Sequence, residues 1–131
     1  MDYMKKIFAV LCVALLLCCC TDDKAQKTAE GFLTSYLMMD YDNAVAYCDS
    51  NVTASLRLAS DNWQALDTTL LKSIREAAGS TTFSITEVDT ESQKDKAFVK
   101  YMLFPLGGEQ GLEMKMTLEK RGGKWLVCGL E

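Results

Sequence analysis

The side chains with the most chemistry to offer are six cysteines, seven methionines, five tyrosines and eighteen carboxylates, in a 131-residue chain without histidine. Lack of imidazole removes His-dependent triads, His-ligated metal sites and imidazole pH switches. The cysteines fall into two groups by position. Cys12, Cys18, Cys19 and Cys20 lie near the start, and only Cys48 and Cys128 lie in the remainder. Those two can form a disulfide in an oxidising compartment or stay as inert buried thiols, and Cys48 shares a helical stripe with Ala44, as a small buried residue does. Asp40, Asp42, Asp49 and Asp67 fall at helix ends or on polar faces, where capping and solvation explain them. A catalytic carboxylate would need burial beside a phenol such as Tyr101 to tune its pKa, so no catalytic residue is assigned. Nothing in the sequence calls for a metal or cofactor. The candidate pocket lining is Tyr36, Tyr101, Met114 and Met116, because the two methionines share one strand face and thioethers adapt to irregular ligands; simple core filling uses the same residues.

Around the first cysteines the chain reads as an address. Lys5 and Lys6 form a positive n-region, and Ile7 to Leu17 is an apolar run of 11 residues, the length of a secretory h-region and too short for a membrane span. Leu16-Leu17-Cys18-Cys19-Cys20 is followed at once by polar residues and resembles a lipobox, with an apolar residue three before the modified cysteine and a small one directly before it. Cys19 and Cys20 both satisfy that rule; Cys18 does not, since Leu17 precedes it. Thr21-Asp22-Asp23 favours Cys20 as the acylated residue, with Cys19 the alternative, because it resembles the acidic export tag of surface lipoproteins in some Gram-negative bacteria. The expected division is a signal peptide over 1–19, an anchor and acidic tether over 20–24, and one domain over 25–131. The expected location is the cell envelope, lipid-anchored to the outer membrane on its periplasmic or outer side.

Beyond the leader, 49% apolar and 24% charged residues over the whole chain are globular values. One domain with a real core fits the length. Without Lys5, Lys6 and Asp2 the chain keeps 12 basic and 17 acidic residues and no basic stripe, which argues against a nucleic-acid partner.

The elements that must position these residues follow from periodicity. Ala25, Ala29, Phe32, Leu33, Tyr36 and Leu37 predict a helix over about Asp23 to Met39. Asp40-Tyr41-Asp42 breaks it, and Ala44, Val45 and Cys48 mark a short second helix. A third helical stretch runs from Val52, hesitates at Ser60-Asp61-Asn62, and places Trp63, Leu66, Leu70, Ile74 and Ala77 on one face up to Gly79, with Asp61 as the cap of its longer half. From Thr81 the period becomes 2. Strands are expected at Phe83–Thr86, Lys96–Phe104, around Leu112–Glu119 and at Trp125–Leu130, joined by turns at Ser92–Asp95, Pro105–Gly108 and Arg121–Lys124. Helices first and an antiparallel meander second make an α+β fold, with helices on one face of a four-stranded sheet.

Two stretches carry a family likeness: Glu30-Gly31-Phe32-Leu33 through Met39-Asp40-Tyr41-Asp42-Asn43-Ala44, and Leu118-Glu119-Lys120-Arg121-Gly122-Gly123-Lys124-Trp125. Together they resemble small lipoproteins of the nuclear transport factor 2-like superfamily, in particular a domain family of unknown function with a helix-ending Asp-Tyr-x-x-Ala corner and a late Gly-Lys-Trp hairpin. The resemblance implies a cone, a curved sheet wrapped around helices with a pocket at its open end, of the kind also called cystatin-like. It assigns no substrate and no catalytic residue.

Lys96 to Phe104 is apolar on both sides, with Val99, Tyr101 and Leu103 on one and Phe98, Met102 and Phe104 on the other. Domains of the superfamily often pair through the outer sheet face, so the resemblance implies a homodimer or protein partner there; shielding by Lys100, Lys115 and Glu119 is the alternative. The leading expectation is a non-catalytic envelope lipoprotein that binds a small apolar ligand in the cone or a protein on the sheet. The alternatives are a pocket enzyme of isomerase, dehydratase or hydrolase type using a carboxylate and a tyrosine, and a structural or assembly factor at the outer membrane.

Overall fold

A computed structural model describes residues 20–130. The expectations on Cys18, Cys19 and the signal peptide lie outside these residues. Helix α1 spans Cys20–Leu37, so residues 20–24, expected as a tether, are helical. Its buried stripe is Ala25, Ala29, Phe32 and Leu33, the i, i+4, i+7, i+8 spacing of one helical face. It ends in a Schellman closure: Asp40 N–H donates to the Ser35 carbonyl at 2.9 Å and Met39 N–H to the Tyr36 carbonyl at 3.0 Å. Met39 takes the left-handed position there, at φ 58°.

The Asp40 carboxylate then accepts from the Asn43 backbone N–H and starts α2, Tyr41–Ala44, which tightens into a 3₁₀ turn over Val45–Tyr47. Asp49 caps α3, Ser50–Gln64, accepting from Val52 N–H at 2.9 Å. The third helical stretch does break, but at residues 65–67. Asp61 lies inside α3, and Asp67 stands before α4, Thr68–Gly79. Asp61 and Asn62 are exposed, where water satisfies them and their helix cost is only a few tenths of a kcal/mol each. The break divides the expected apolar face between two helices. Trp63, Leu66 and Ile74 are half-buried, Leu70 and Ala77 are exposed, and α4 buries no residue.

The four strands are β1 Thr82–Asp89, β2 Lys96–Phe104, β3 Leu112–Arg121 and β4 Lys124–Leu130, an antiparallel sheet in the order 1-2-3-4. Register places Ile85, Tyr101 and Met114 in one inner row and Val88, Val99 and Met116 in the next. Two irregularities curve the sheet. On β1 the pairing skips Thr86, and on β4 it passes from Val127 to Gly129 and leaves Cys128 as the extra residue of a bulge. Asp49 N–H donates to the Val127 carbonyl at 3.0 Å and ties the helical half to the edge of β4. The core between α1, α3 and the inner sheet face is Phe32, Leu33, Leu56, Val99, Met116, Leu118, Trp125 and Val127.

Candidate functional site

Burial falls along two elements in the same direction, and that gradient locates the open end. On α1, Ala25 and Phe32 are fully buried while Tyr36 is 38% exposed. On β3, Leu118 and Met116 are buried, Met114 is half-buried and Leu112 is 56% exposed. Phe83, Leu103 and Leu112 are successive cross-strand partners at that end and form an apolar lip. The inner face is therefore covered at the Leu118 end and partly open at the Leu112 end.

The structure brings three of the four predicted pocket residues together at this end. Tyr101 pairs across the strands with Met114 and interacts electrostatically with Tyr36. Tyr36 stacks on Phe32 with ring centroids 5.4 Å apart and meets Tyr41 edge-on at 6.0 Å. Met116 lies one row deeper and is 1% exposed, a core residue. Burial raises the Tyr101 phenol above the ordinary tyrosine range, and the neighbouring Tyr36 adds to it. Tyr41 is raised by burial as well, against the lowering effect of a hydrogen bond from Trp63, with Tyr36 again adding a little. Both phenols are therefore neutral at physiological pH and can donate a hydrogen bond.

The carboxylate–tyrosine reading needs an Asp or Glu bonded to Tyr36, Tyr47 or Tyr101. Among the described residues Asp49 is the buried carboxylate, and it is committed to the α3 cap and to Arg121, whose Nη2 is 3.9 Å away. Cys48 and Cys128 are both free thiols. Cys48 Sγ donates to the Ala44 carbonyl at the end of α2 and Cys128 Sγ to the Thr117 carbonyl on neighbouring β3, so each thiol has its own backbone acceptor. Burial, then the Asp49 charge, pushes Cys48 up to about 12. Cys128 is raised mainly by burial, with Asp49 and Glu119 outweighing Lys96 and Arg121. Neither thiol is a thiolate nucleophile at neutral pH.

Two cavities flank the aromatic cluster, and neither is lined by the four predicted residues. One, of about 250 Å³, lies between the end of α1 and the start of β1, against Thr34, Leu37, Met38, Gly79, Thr81 and Phe83. The other, of about 330 Å³, lies between the α2 corner and α3 and is polar. The first had a sequence signal in Leu37-Met38, apolar residues running past the last buried position of α1. The second had one in Arg57, Ser60, Asp61 and Gln64, a polar stripe at i, i+3, i+4 and i+7.

Similarity to solved structures decides the architecture. An nuclear transport factor 2-like protein of unknown function from Shewanella oneidensis superposes with a TM-score of 0.54 at 16% identity, covering 82% of this chain and 93% of that one. A Campylobacter jejuni protein, described provisionally as an NTF2-like transpeptidase, gives 0.54 at 18% identity over 79% and 96%. The fold is nuclear transport factor 2-like. At these identities the likeness concerns the fold alone. No family model and no curated protein matches the sequence. Within the NTF2-like fold the half-open Leu112 end is the mouth of the cone, and the outer row of β2, Phe98, Lys100, Met102 and Phe104, apolar but for Lys100, lies on the opposite side of the sheet. Gly111 passes so close to Met102 and Phe104 that a Cβ there would sit 2.6 and 2.9 Å from them, which leaves Phe98, 37% exposed, as the open part of that row. Among the described residues no helix is long and apolar enough to cross a membrane.

Proposed function

We propose that this protein is a binding module held at the cell envelope by an acylated Cys20, taking a small apolar or amphipathic ligand at the mouth of its cone. The parallel loss of burial along α1 and β3 carries the reading, because it leaves apolar side chains at one end with no protein to cover them. The 250 Å³ cavity beside Phe83 suits a small group, such as one ring or a short alkyl segment. Half-exposed Tyr36 offers a hydroxyl to a polar head beside the cavity, while Tyr101, 4% exposed, backs it from the core. Titration with the apolar fluorophore N-phenyl-naphthylamine tests it. Met38→Asp changes a 66% exposed lining residue and should leave the melting temperature unchanged while weakening the probe by about tenfold. Equal binding by Met38→Asp and Leu37→Ala removes the site.

A protein partner on the outer sheet face is the second reading, supported by the exposed Phe98 between Lys96 and Lys100. Light scattering behind size-exclusion chromatography checks the homodimeric form: a monomer at all concentrations discards it.

A further inference from the structure

The two outer edges of the sheet differ. Beside β4 the edge is occupied, since Cys48 bridges to Val127 and Asp49 N–H donates to the Val127 carbonyl. Beside β1 it is open: the strand pairs with β2 alone, and among the described residues no further backbone group bonds to residues 82–89. Alternate residues of an antiparallel edge strand turn both N–H and C=O outward, so β1 presents a row of unspent donors and acceptors. Burial shows the same opening. Ile85 and Val88 are only half-buried on the inner face, whereas their cross-strand partners Tyr101 and Val99 are 4% and 1% exposed. The helices cover β2 and leave the flank of β1 uncovered.

The cavity of about 250 Å³ adjoins this edge. Its walls are Leu37 and Met38 at the end of α1, Gly79 at the end of α4, and the chain from Thr81 to Phe83; no residue of β2, β3 or β4 lines it. It therefore lies beside the free edge of β1 rather than over the middle of the sheet. We infer that the ligand of the mouth is an extended peptide, which joins the sheet as a further strand along Thr82–Ile85 and seats one apolar side chain in the cavity. This rests on the reading of the mouth as a binding site. A free apolar molecule fills the cavity and leaves the backbone groups beside it to water. An extended peptide uses both, main-chain bonds for affinity and the cavity for selection. Met38, 66% exposed and unbranched, adapts to the side chain that is seated. The irregularity at Thr86, followed by exposed Glu87, limits regular pairing beside the cavity to Thr82–Ile85. That limit suits a short segment better than a second copy of the chain, whose own β1 carries the same irregularity.

Calorimetry on the full-length protein tests this with the acetylated and amidated heptapeptide lysine–valine–threonine–leucine–threonine–valine–lysine, whose apolar side chains share one face when extended. Saturable binding is expected. It should weaken about tenfold with glycine in place of the leucine or with Met38→Asp, and should be lost when the internal amides are N-methylated, which keeps every side chain and removes the donors. Residue-resolved hydrogen exchange should find alternate amides over Thr82–Ile85 unprotected in the free protein and slowed by the peptide. N-Phenyl-naphthylamine separates the two readings: binding of that fluorophore without binding of the peptide overturns the strand assignment and keeps the mouth, and binding of neither overturns both. Equal binding of the N-methylated peptide, or β1 amides already protected in a dimer without peptide, would each overturn the assignment as well.

Discussion

Gly31 lies on α1 where the Tyr47 side chain crosses the helix, and a Cβ built there would stand 2.6 to 2.9 Å from two ring carbons and the hydroxyl oxygen. Tyr47 is half-buried across α1, so its ring must shift to admit a Cβ. Gly31→Ala should destabilise the domain by about 1–3 kcal/mol in urea unfolding, despite the better helix propensity of alanine. In a Tyr47→Ala background the same change should be neutral or stabilising, and a penalty that persists there would show that the ring is not the obstacle. The buried thiol gives a second residue-scale expectation. Cys48 titrates near 9.0 when free and about 12 in the fold, so the native state holds its proton more tightly than the unfolded one. Its contribution to stability is complete below pH 9 and is lost as pH rises from about 9 to about 12. Cys48→Ala should therefore lose less stability than the parent over that interval in denaturant titrations, and parallel curves would contradict the burial of the thiol. Asp40 and Asp49 could be read as caps directly, since the sequence places each before a helix-competent run. The Tyr47–Gly31 contact could not, because it joins residues whose approach depends on how the 3₁₀ turn folds back.

Among the elements, α4 has the clearest amphipathic pattern by periodicity and the weakest packing. Leu71 and Ile74 are half-buried, Leu70 is half-exposed, and the helix rests chiefly on the turn at Pro105–Gly107. Periodicity reports that a face exists and is silent on what covers it. The same limit explains the misplaced helix break: the polar Ser60-Asp61-Asn62 run resembles a boundary, whereas α3 continues because Val52 and Leu56 anchor it on the core. The strands were far more legible, since alternation assigns each residue to a face and the turns at 92–95 and 121–124 fix the ends. With few apolar contacts to break, α4 should open locally without global unfolding. Its amides should exchange with deuterium at a free-energy cost several kcal/mol below those of Phe32 and Leu33 in α1. Leu71→Ala should cost about 1 kcal/mol, well under the 2–5 kcal/mol of Leu33→Ala. Equal protection of the two helices would mean that α4 is covered by something in solution, a copy of the chain or a partner.

At the scale of the whole molecule, α1 connects the two features on which the proposed function rests. It is helical from Cys20, the proposed point of acylation, to Leu37 at the mouth, 18 residues that span ~27 Å along the axis. The sequence showed the helix and the cysteine separately, but the position of the mouth depends on which end of the inner sheet face the tertiary packing leaves uncovered, which no local pattern encodes. With no flexible stretch between Cys20 and the helix, an acylated domain has its Lys24 end against the bilayer and its Met38 end turned away from it. The mouth would then meet ligands or partners arriving from the aqueous side rather than lipids extracted from the anchoring leaflet. An environment-sensitive fluorophore attached at Met38→Cys on the acylated protein should keep its emission when the protein is bound to phosphatidylethanolamine–phosphatidylglycerol vesicles, and should resist quenching by brominated acyl chains. The same label at Lys24→Cys should shift to the blue and be quenched. Quenching at position 38 equal to that at 24 would place the mouth in the membrane and turn the proposal toward a lipid-facing role.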